Sequence, residues 1–393
     1  MQIYVSGIGI VSAIGIGVEE NFASLAASTD GLGDITLFET SHNLKVGEVK
    51  ATNEELKARL HLPKNKTYSR SALLGMVAAQ EAVKDAKIDT KTLRIGLISS
   101  TTVGGMDLTY HFYEAFAADN SKGRLREVAP HDCYDSTNEI AKLCDINGYT
   151  TTISTACSSA ANAIMLGARL IRQGYLDCAV VGGTDALCKF TLNGFHSLMI
   201  LDQAKCRPFD DTRTGLNLGE GAGYIVLQRE DTLQRKAYCK VAGFANTNDA
   251  FHQTASSAEG IGPFKAMEQA LKMSSLKPEE ISYINVHGTG TNNNDSSEGS
   301  AIKALFNNNL PPISSTKPFT GHTLAAAGGV EAVFSVLAID RGVIFPNLNF
   351  KIPMAELEIV PQTKFQTGVK IDTVMSNSFG FGGNCSSLIF SKI

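Results

Sequence analysis

Two stretches of this chain carry the same pattern, and the repetition limits what the chain can fold into. TACSSAANAIMLGARLIRQG (155–174) opens on Thr and a reactive side chain, passes through small residues into an apolar helical run, and stops at Gly174. TGHTLAAAGGVEAVFSVLAIDRG (320–342) does the same and stops at Gly342. A second echo links GEGAGYIVLQRE (219–230) with GGNCSSLIFSKI (382–393), each a Gly-rich turn feeding an apolar strand that ends in charge. Repeats of this kind predict two pseudo-duplicated α/β halves, 1–235 and 236–393, in which Cys157 and His322 begin equivalent helices. A pseudo-twofold axis would bring those helix starts together.

The element pattern agrees. Runs such as RIGLISS (94–100), DCAVVGG (177–183), GYIVLQRE (223–230), YINVHG (283–288) and SLIFSKI (387–393) read as strands. They alternate with helical stretches such as YSRSALLGMVAAQEAVKDA (68–86) and GPFKAMEQALKMS (262–274). Strands apolar on both faces, alternating with helices, predict an α/β protein whose sheets are covered. The 393 residues suffice for a large core.

Composition excludes several function classes. The 35 basic and 39 acidic residues are spread along the chain, so no basic patch points to nucleic acid. No apolar run reaches the roughly 18 residues that cross a bilayer. The N-terminal MQIYVSGIGIVSAIGIGVEE lacks the basic start of a secretory signal, which predicts a cytoplasmic protein. The eight cysteines include no C-x-x-C, so neither a disulfide framework nor a zinc or iron–sulfur site is expected. The glycines match no phosphate-binding fingerprint, and no nucleotide is implied.

Four segments carry candidate chemistry. Cys157, where an apolar strand gives way to a helix, would feel the positive end of the helix dipole; that predicts a pKa lowered from about 8.5 and a nucleophilic thiolate. A buried cysteine in a tightly packed helix fits the segment equally well. In NVHGTGTNNNDSSEGS (285–300), His287 ends an apolar strand and Thr289 and Thr291 place two hydroxyls on one side of a loop, suited to the amides of an extended ligand. In SSTKPFTGHTLAAAGGVEA (314–332), Lys317 sits in an uncharged stretch and needs a partner, for which Glu331 is a candidate, and His322 follows it by five residues. SNSFGFGGNCSS (376–387) is either a turn before the last strand or a source of N–H groups for an oxyanion, with Phe379 and Phe381 as a gate.

Taken in this order, VSGIGIVSAIGIG, TACSS, CRPFDDTRTGLNLGEGAG, HGTGT, TKPFTGH and NSFGFGG resemble the β-ketoacyl–acyl carrier protein synthases of the elongating, Cys-His-His type, over nearly the whole chain. The resemblance implies a thiolase-like fold, a layered α-β-α-β-α sandwich. It implies that Cys157 is the acylated nucleophile, that His287 and His322 are the histidine pair, and that Lys317, paired with Glu331, supports the second of them, His322. The N–H groups of Cys157 and Phe381 would form the oxyanion hole, Phe381 would also gate the site, and Thr289 and Thr291 would bind the phosphopantetheine arm. The implied reaction is that of a 3-oxoacyl-[acyl-carrier-protein] synthase, a decarboxylative condensation in fatty acid or polyene/polyketide elongation, with no metal or redox cofactor.

The chain departs from the family pattern at Ala160, Asn294 and Ala325, each standing where glycine is usual; these swaps bear on the shape of the acyl pocket. The rivals are a chain-length-factor-like partner, which typically lacks the nucleophile, and a thiolase acting on CoA esters, which carries a second cysteine before a Gly-Gly pair, whereas Cys385 follows one here. The implied partners are an acyl carrier protein and a second subunit, as a homodimer or a heterodimer with a chain-length partner. Docking an acidic carrier needs a local basic patch, for which Lys64, Lys66, Arg70 and Arg207 are candidates. The aromatic-rich TTVGGMDLTYHFYEAF (101–116) is a packed helix, a dimer surface or part of an acyl tunnel.

Overall fold

The computed structural model describes residues 1–307 and 309–393. Its first half runs β1 (Tyr4–Ser12), α1 (Arg70–Ala86), β2 (Ile95–Ser100), α2 (Met106–Ala118), α3 (Cys133–Leu143), β3 (Thr150–Ile153), α4 (Ser159–Arg172), β4 (Cys178–Asp185), α5 (Lys189–Ser197) and β5 (Gly221–Gln228). The second half runs β6 (Cys239–Asn248), α6 (Ile261–Ser274), β7 (Tyr283–Asn285), α7 (Asn292–Phe306), β8 (Ile313–Ser314), α8 (Ala327–Arg341), β9 (Thr373–Gly380) and β10 (Asn384–Ser391).

The strand orders of the two halves correspond one to one. β1-β5-β4-β2-β3 in the first half matches β6-β10-β9-β7-β8 in the second. In each half the first two neighbouring pairs are antiparallel and the last two parallel. The halves join edge to edge through a two-residue pairing of β1 with β6, Tyr4 with Lys240 and Val5 with Cys239. The central strands are apolar on both faces, as the sequence pattern requires of covered sheets: every residue of β1, β4 and β5 is buried.

Helices supply the cover. α1 and α3 pack on the outer face of the first half, α6 and α7 on that of the second. α4 and α8 pack on each other between the halves, α4 against β2 and β4, α8 against β5 and β9. The result is the five-layered α-β-α-β-α sandwich, and its central layer is made of the two helices that the sequence repeat singled out. No helix among the described residues is long and apolar enough to cross a membrane.

Small residues let the layers close. A Cβ on Gly223 of β5 would stand 2.3 Å from the Gly329 carbonyl carbon of α8, and a Cβ on Gly329 2.4 Å from the Gly223 oxygen. Strand and helix backbones therefore touch where the second half's central helix crosses the first half's sheet.

Candidate active site

The centre lies where the starts of α4 and α8 converge. Cys157 sits in the sharp turn between β3 and α4, and the preceding Ala156 takes φ 52°, a conformation that a non-glycine residue holds only where its surroundings over-determine it. Ser159 Oγ supplies part of that constraint, accepting the Thr155 N–H at 2.8 Å and donating to the Ala156 oxygen at 2.6 Å. The end of β9 presses on the turn: a Cβ on Gly380 would stand 3.0 Å from the Cys157 nitrogen. That close approach brings the Phe381 N–H, together with the N–H of Cys157 itself, to the sulfur.

His287 leaves the end of β7, and Glu298 of α7 fixes its backbone, accepting the N–H groups of His287 and Gly288 at 2.9 and 2.8 Å. His322 is held from its other side, its N–H donating to Asn217 at 2.7 Å and its carbonyl accepting from Gly219 at 3.0 Å. The sulfur of Cys157 and one nitrogen from each imidazole all lie within 4.8 Å of one another. The two rings meet edge to face at 5.2 Å.

Hydrogen bonds set the tautomers. The Leu324 N–H donates to His322 Nδ1 at 3.3 Å, which leaves the ring proton on Nε2. Lys317 Nζ donates to His287 Nδ1 at 3.2 Å and to the His287 carbonyl at 2.5 Å, with the same consequence for that ring. Burial, and next the Lys317 ammonium, push both imidazoles well below their ordinary pKa, so both are neutral donors through Nε2–H.

Two expectations need correction. Lys317 supports the first histidine rather than His322: its hydrogen bonds go to His287 and to Glu331 Oε1, the latter at 2.5 Å. The Cys157 thiol is not lowered; burial pushes it up to about 11, against the opposing pull of Lys317 and of the Phe381 and Cys157 N–H groups. The resting group is a thiol, and its proton must leave during reaction. Burial likewise pushes the Glu298 and Glu331 carboxyls up to about 7.

In front of these groups lies a cavity of about 280 Å³ lined by Cys157, His287, His322, Thr289, Thr291, Phe379 and Phe381. The Thr289 and Thr291 hydroxyls stand 2.9 Å apart, and the Thr291 Oγ1 also caps α7. Phe379 lies on β9, buried 6.0 Å from His287, whereas Phe381 is half-exposed and stacks on Phe195 of α5 at 5.9 Å. Met199, Ile200 and Asn292 to Asn294 complete the mouth.

Sequence reasoning missed the acidic pair that holds the histidine loop. Asp295 accepts the Thr289 and Gly290 N–H groups at 3.0 and 3.2 Å, beside the bonds of Glu298. Their i, i+3 spacing after HGTGT was the available signal. Of the proposed basic patch, Arg70 is excluded: it is buried and bonded to Glu220 through Nε and Nη2 at 2.8 and 2.6 Å. Arg207 is bonded to Asp202 at 3.1 Å, Lys66 lies against Glu139 at 2.5 Å, and Lys64 is exposed.

A sulfur and two imidazole nitrogens are also a set that zinc accepts, but the Lys317 ammonium on His287 opposes a dication there. Among the described residues, buried side-chain atoms without a partner include both amide atoms of Asn285, the hydroxyl of its register neighbour Ser376, Asn377 Oδ1 and Glu331 Oε2, groups that ordered water satisfies.

Comparison with known proteins places this geometry in context. Residues 1–232 match the beta-ketoacyl synthase N-terminal domain and residues 238–351 its C-terminal domain. The 3-oxoacyl-[acyl-carrier-protein] synthase 2 of Synechocystis sp. is 34% identical, aligned over 100% of this chain and 98% of its own. The protein of the same name from Staphylococcus aureus is 31% identical, again over 100% and 98%. Among solved structures, the ishigamide ketosynthase/chain length factor superposes with a TM-score of 0.94 at 29% identity, covering 100% of this chain and 99% of that one. A ketosynthase in complex with its chain length factor from Xenorhabdus doucetiae gives 0.83 at 30%, covering 100% and 98%.

Proposed function

The chain belongs to the β-ketoacyl synthase family, and from that premise we propose that it is a 3-oxoacyl-[acyl-carrier-protein] synthase, a condensing acyltransferase of chain elongation, with Cys157, His287 and His322 as its catalytic residues. The observation that carries this is the meeting of one sulfur and two imidazole nitrogens within 4.8 Å, both rings tied at Nδ1 and so donating through Nε2.

In the first half-reaction Cys157 Sγ attacks the carbonyl of an acyl thioester on a carrier protein. The N–H groups of Cys157 and Phe381 hold the tetrahedral oxyanion. Collapse breaks the bond to the phosphopantetheine sulfur, and that thiol departs with the proton that Cys157 gives up. Exchange of one thiol for another needs no net base, which fits a sulfur whose resting pKa is high.

In the second, the malonyl thioester loses CO2 and the electron pair of the broken carbon–carbon bond passes into an enolate. The Nε2–H groups of His287 and His322 stabilise its oxygen as neutral donors; removing one such donor typically costs on the order of 10²–10³ in rate. The enolate carbon attacks the acyl-Cys157 carbonyl, the bond to sulfur breaks, and the thiolate takes up a proton from solvent, which balances the carboxylate charge lost with CO2, as the β-ketoacyl thioester leaves, two carbons longer. Lys317 and Glu331 orient His287, and Thr289 and Thr291 bind the phosphopantetheine amides. The cycle uses no metal or redox cofactor.

The intact Cys157 disfavours a chain-length factor, and Cys385, packed against Ala266 and Phe379, disfavours a thiolase's second catalytic cysteine. The partners are an acyl carrier protein and a second subunit of the same fold, which covers β3 and α2.

The test offers the protein a panel of acyl carrier proteins with malonyl carrier protein and follows retained and extended acyl groups by mass spectrometry. Acylation at Cys157, and loss of condensation in Cys157→Ala, are expected. Acylation at another residue would refute the assignment.

A further inference from the structure

Asp185, the last residue of β4, is fully buried and takes no part in the scheme above. In the first half its Oδ1 accepts the Thr101 hydroxyl at 2.5 Å and the Thr102 and Val103 N–H groups at 3.0 and 3.1 Å. Its Oδ2 accepts the Thr102 hydroxyl at 2.6 Å and, across the junction, the Ala325 N–H of the second half at 2.8 Å.

That last bond falls on a turn with work to do. Leu324, one residue earlier, takes φ 52°, an unfavourable conformation for a residue with a branched side chain. Leu324 is also the donor to His322 Nδ1. Its N–H points at the imidazole only while the turn keeps this shape, and Asp185 ties the next N–H along the chain to the rigid end of a buried strand.

We propose that Asp185 is a positioning residue for His322: by holding the Ala325 N–H it fixes the strained turn that aims Leu324 at Nδ1, and so commits the ring to carrying its proton on Nε2. The inference rests on the condensing function proposed above, in which that proton meets the enolate oxygen. Asp185 thus couples the loop after β2 in the half that carries the nucleophile to the histidine turn of the other half.

Asp185→Asn, nearly isosteric, replaces the charged acceptor. Malonyl decarboxylation is expected to fall about 10–100-fold, less than for a donor removed outright because the freed ring still presents Nε2–H part of the time, while acyl transfer to Cys157 stays within about threefold. The ¹⁵N signals of His322 should move from a fixed Nε2–H pattern toward an average of the two tautomers. Thr102→Val is the structural control: it removes the Thr102 hydroxyl bond, spares Ala325, and should lower the melting temperature without changing the ratio of the half-reactions. Equal loss of both half-reactions in Asp185→Asn, or an unaltered His322 spectrum, overturns the proposal. If that variant does not fold, the wild-type protein supplies the test: His322 must hold the Nε2–H tautomer and the Leu324 and Ala325 amides must resist hydrogen exchange, and failure of either overturns it. A wild-type protein that neither acylates nor decarboxylates would instead sink the condensing function itself.

Discussion

Lys317 carries the electrostatics of the site at the level of single residues. Its ammonium is buried and divided among Glu331 Oε1, the His287 carbonyl and His287 Nδ1. It raises the cost of a second positive charge on either imidazole, adding to the cost of burial. Both folded-state pKa values therefore lie well below 6.5, and the neutral, donating rings persist as pH falls through the ordinary histidine range. Malonyl decarboxylation should accordingly show no limb from imidazole protonation down to about pH 6.5, and a shallow inflection near 7 is expected instead from the Glu331 carboxyl, whose loss of charge loosens Lys317 without protonating either ring. In Lys317→Met the repulsion is gone, so imidazolium forms more readily and the limb moves up toward the ordinary value. The rate at pH 8 also drops, by about 10²-fold, because His287 loses the donor that fixes its tautomer. A stopped-flow pH profile measures both effects, and a limb centred near 6.5 that persists in Glu331→Gln would contradict the neutral-donor picture.

Secondary-structure elements meet this site through backbone contacts that admit almost no side chain. Gly329 of α8 lies against Gly223 of β5, and a methyl on Gly329 would stand 2.4 Å from the Gly223 oxygen. Gly329→Ala must push α8 off the sheet. Overpacking of this kind typically costs about 1–3 kcal/mol, and more where the neighbour is backbone. Urea melts should show the lowered midpoint, with condensation lost beyond what the remaining folded fraction explains, because α8 follows directly from His322 in the chain. An unchanged midpoint would mean that the two layers have room to part. The duplication was legible in the sequence: paired helix starts, small residues and stop glycines are local signals, and they predict that the helices beginning at Cys157 and His322 come together, whereas the layered sandwich followed from the resemblance. The side chains behind the catalytic groups were not. Arg70, near Lys64 and Lys66, reads as surface charge because its partner Glu220 is 150 residues away. The resemblance assigns Lys317 to His322, and nothing local in the sequence corrects it, because only the fold returns the lysine to His287. Asp185 gives no local signal at all; its role exists only once β4 and the turn at Ala325 meet.

The molecule as a whole leaves one end of its sheet unfinished. β3 pairs with β2 on one side and is the last strand of the sheet on the other, and all four of its residues are half-buried. Uncovered edges invite pairing, and soluble proteins blunt or cover them. α2 belongs to the same half and has no buried residue, although it carries Tyr113 and Phe116, 62% and 44% exposed, and a stacked Phe112–Phe116 pair. Tyr134 and Tyr149 are also exposed, and Tyr134 bonds to Thr150 of β3 itself at 2.8 Å. Stable interfaces bury about 1,200–2,000 Å² in total with aromatic residues at their centre. A second copy that paired β3 with β3 across a twofold axis would cover that edge and put the α2 aromatics at the centre of the contact. The contact also bears on function, since α2 packs on α5 and α5 carries the Phe195 that stacks on Phe381. Sedimentation should show two copies of the 41.9 kDa chain in wild type and one in the Tyr113→Asp, Phe116→Asp double variant. That variant replaces exposed residues, so its far-UV spectrum should be preserved, while acylation of Cys157 falls as Phe381 loses the backing of Phe195. A monomeric wild type, or a double variant that remains dimeric, would remove the link between assembly and the Phe195–Phe381 stack.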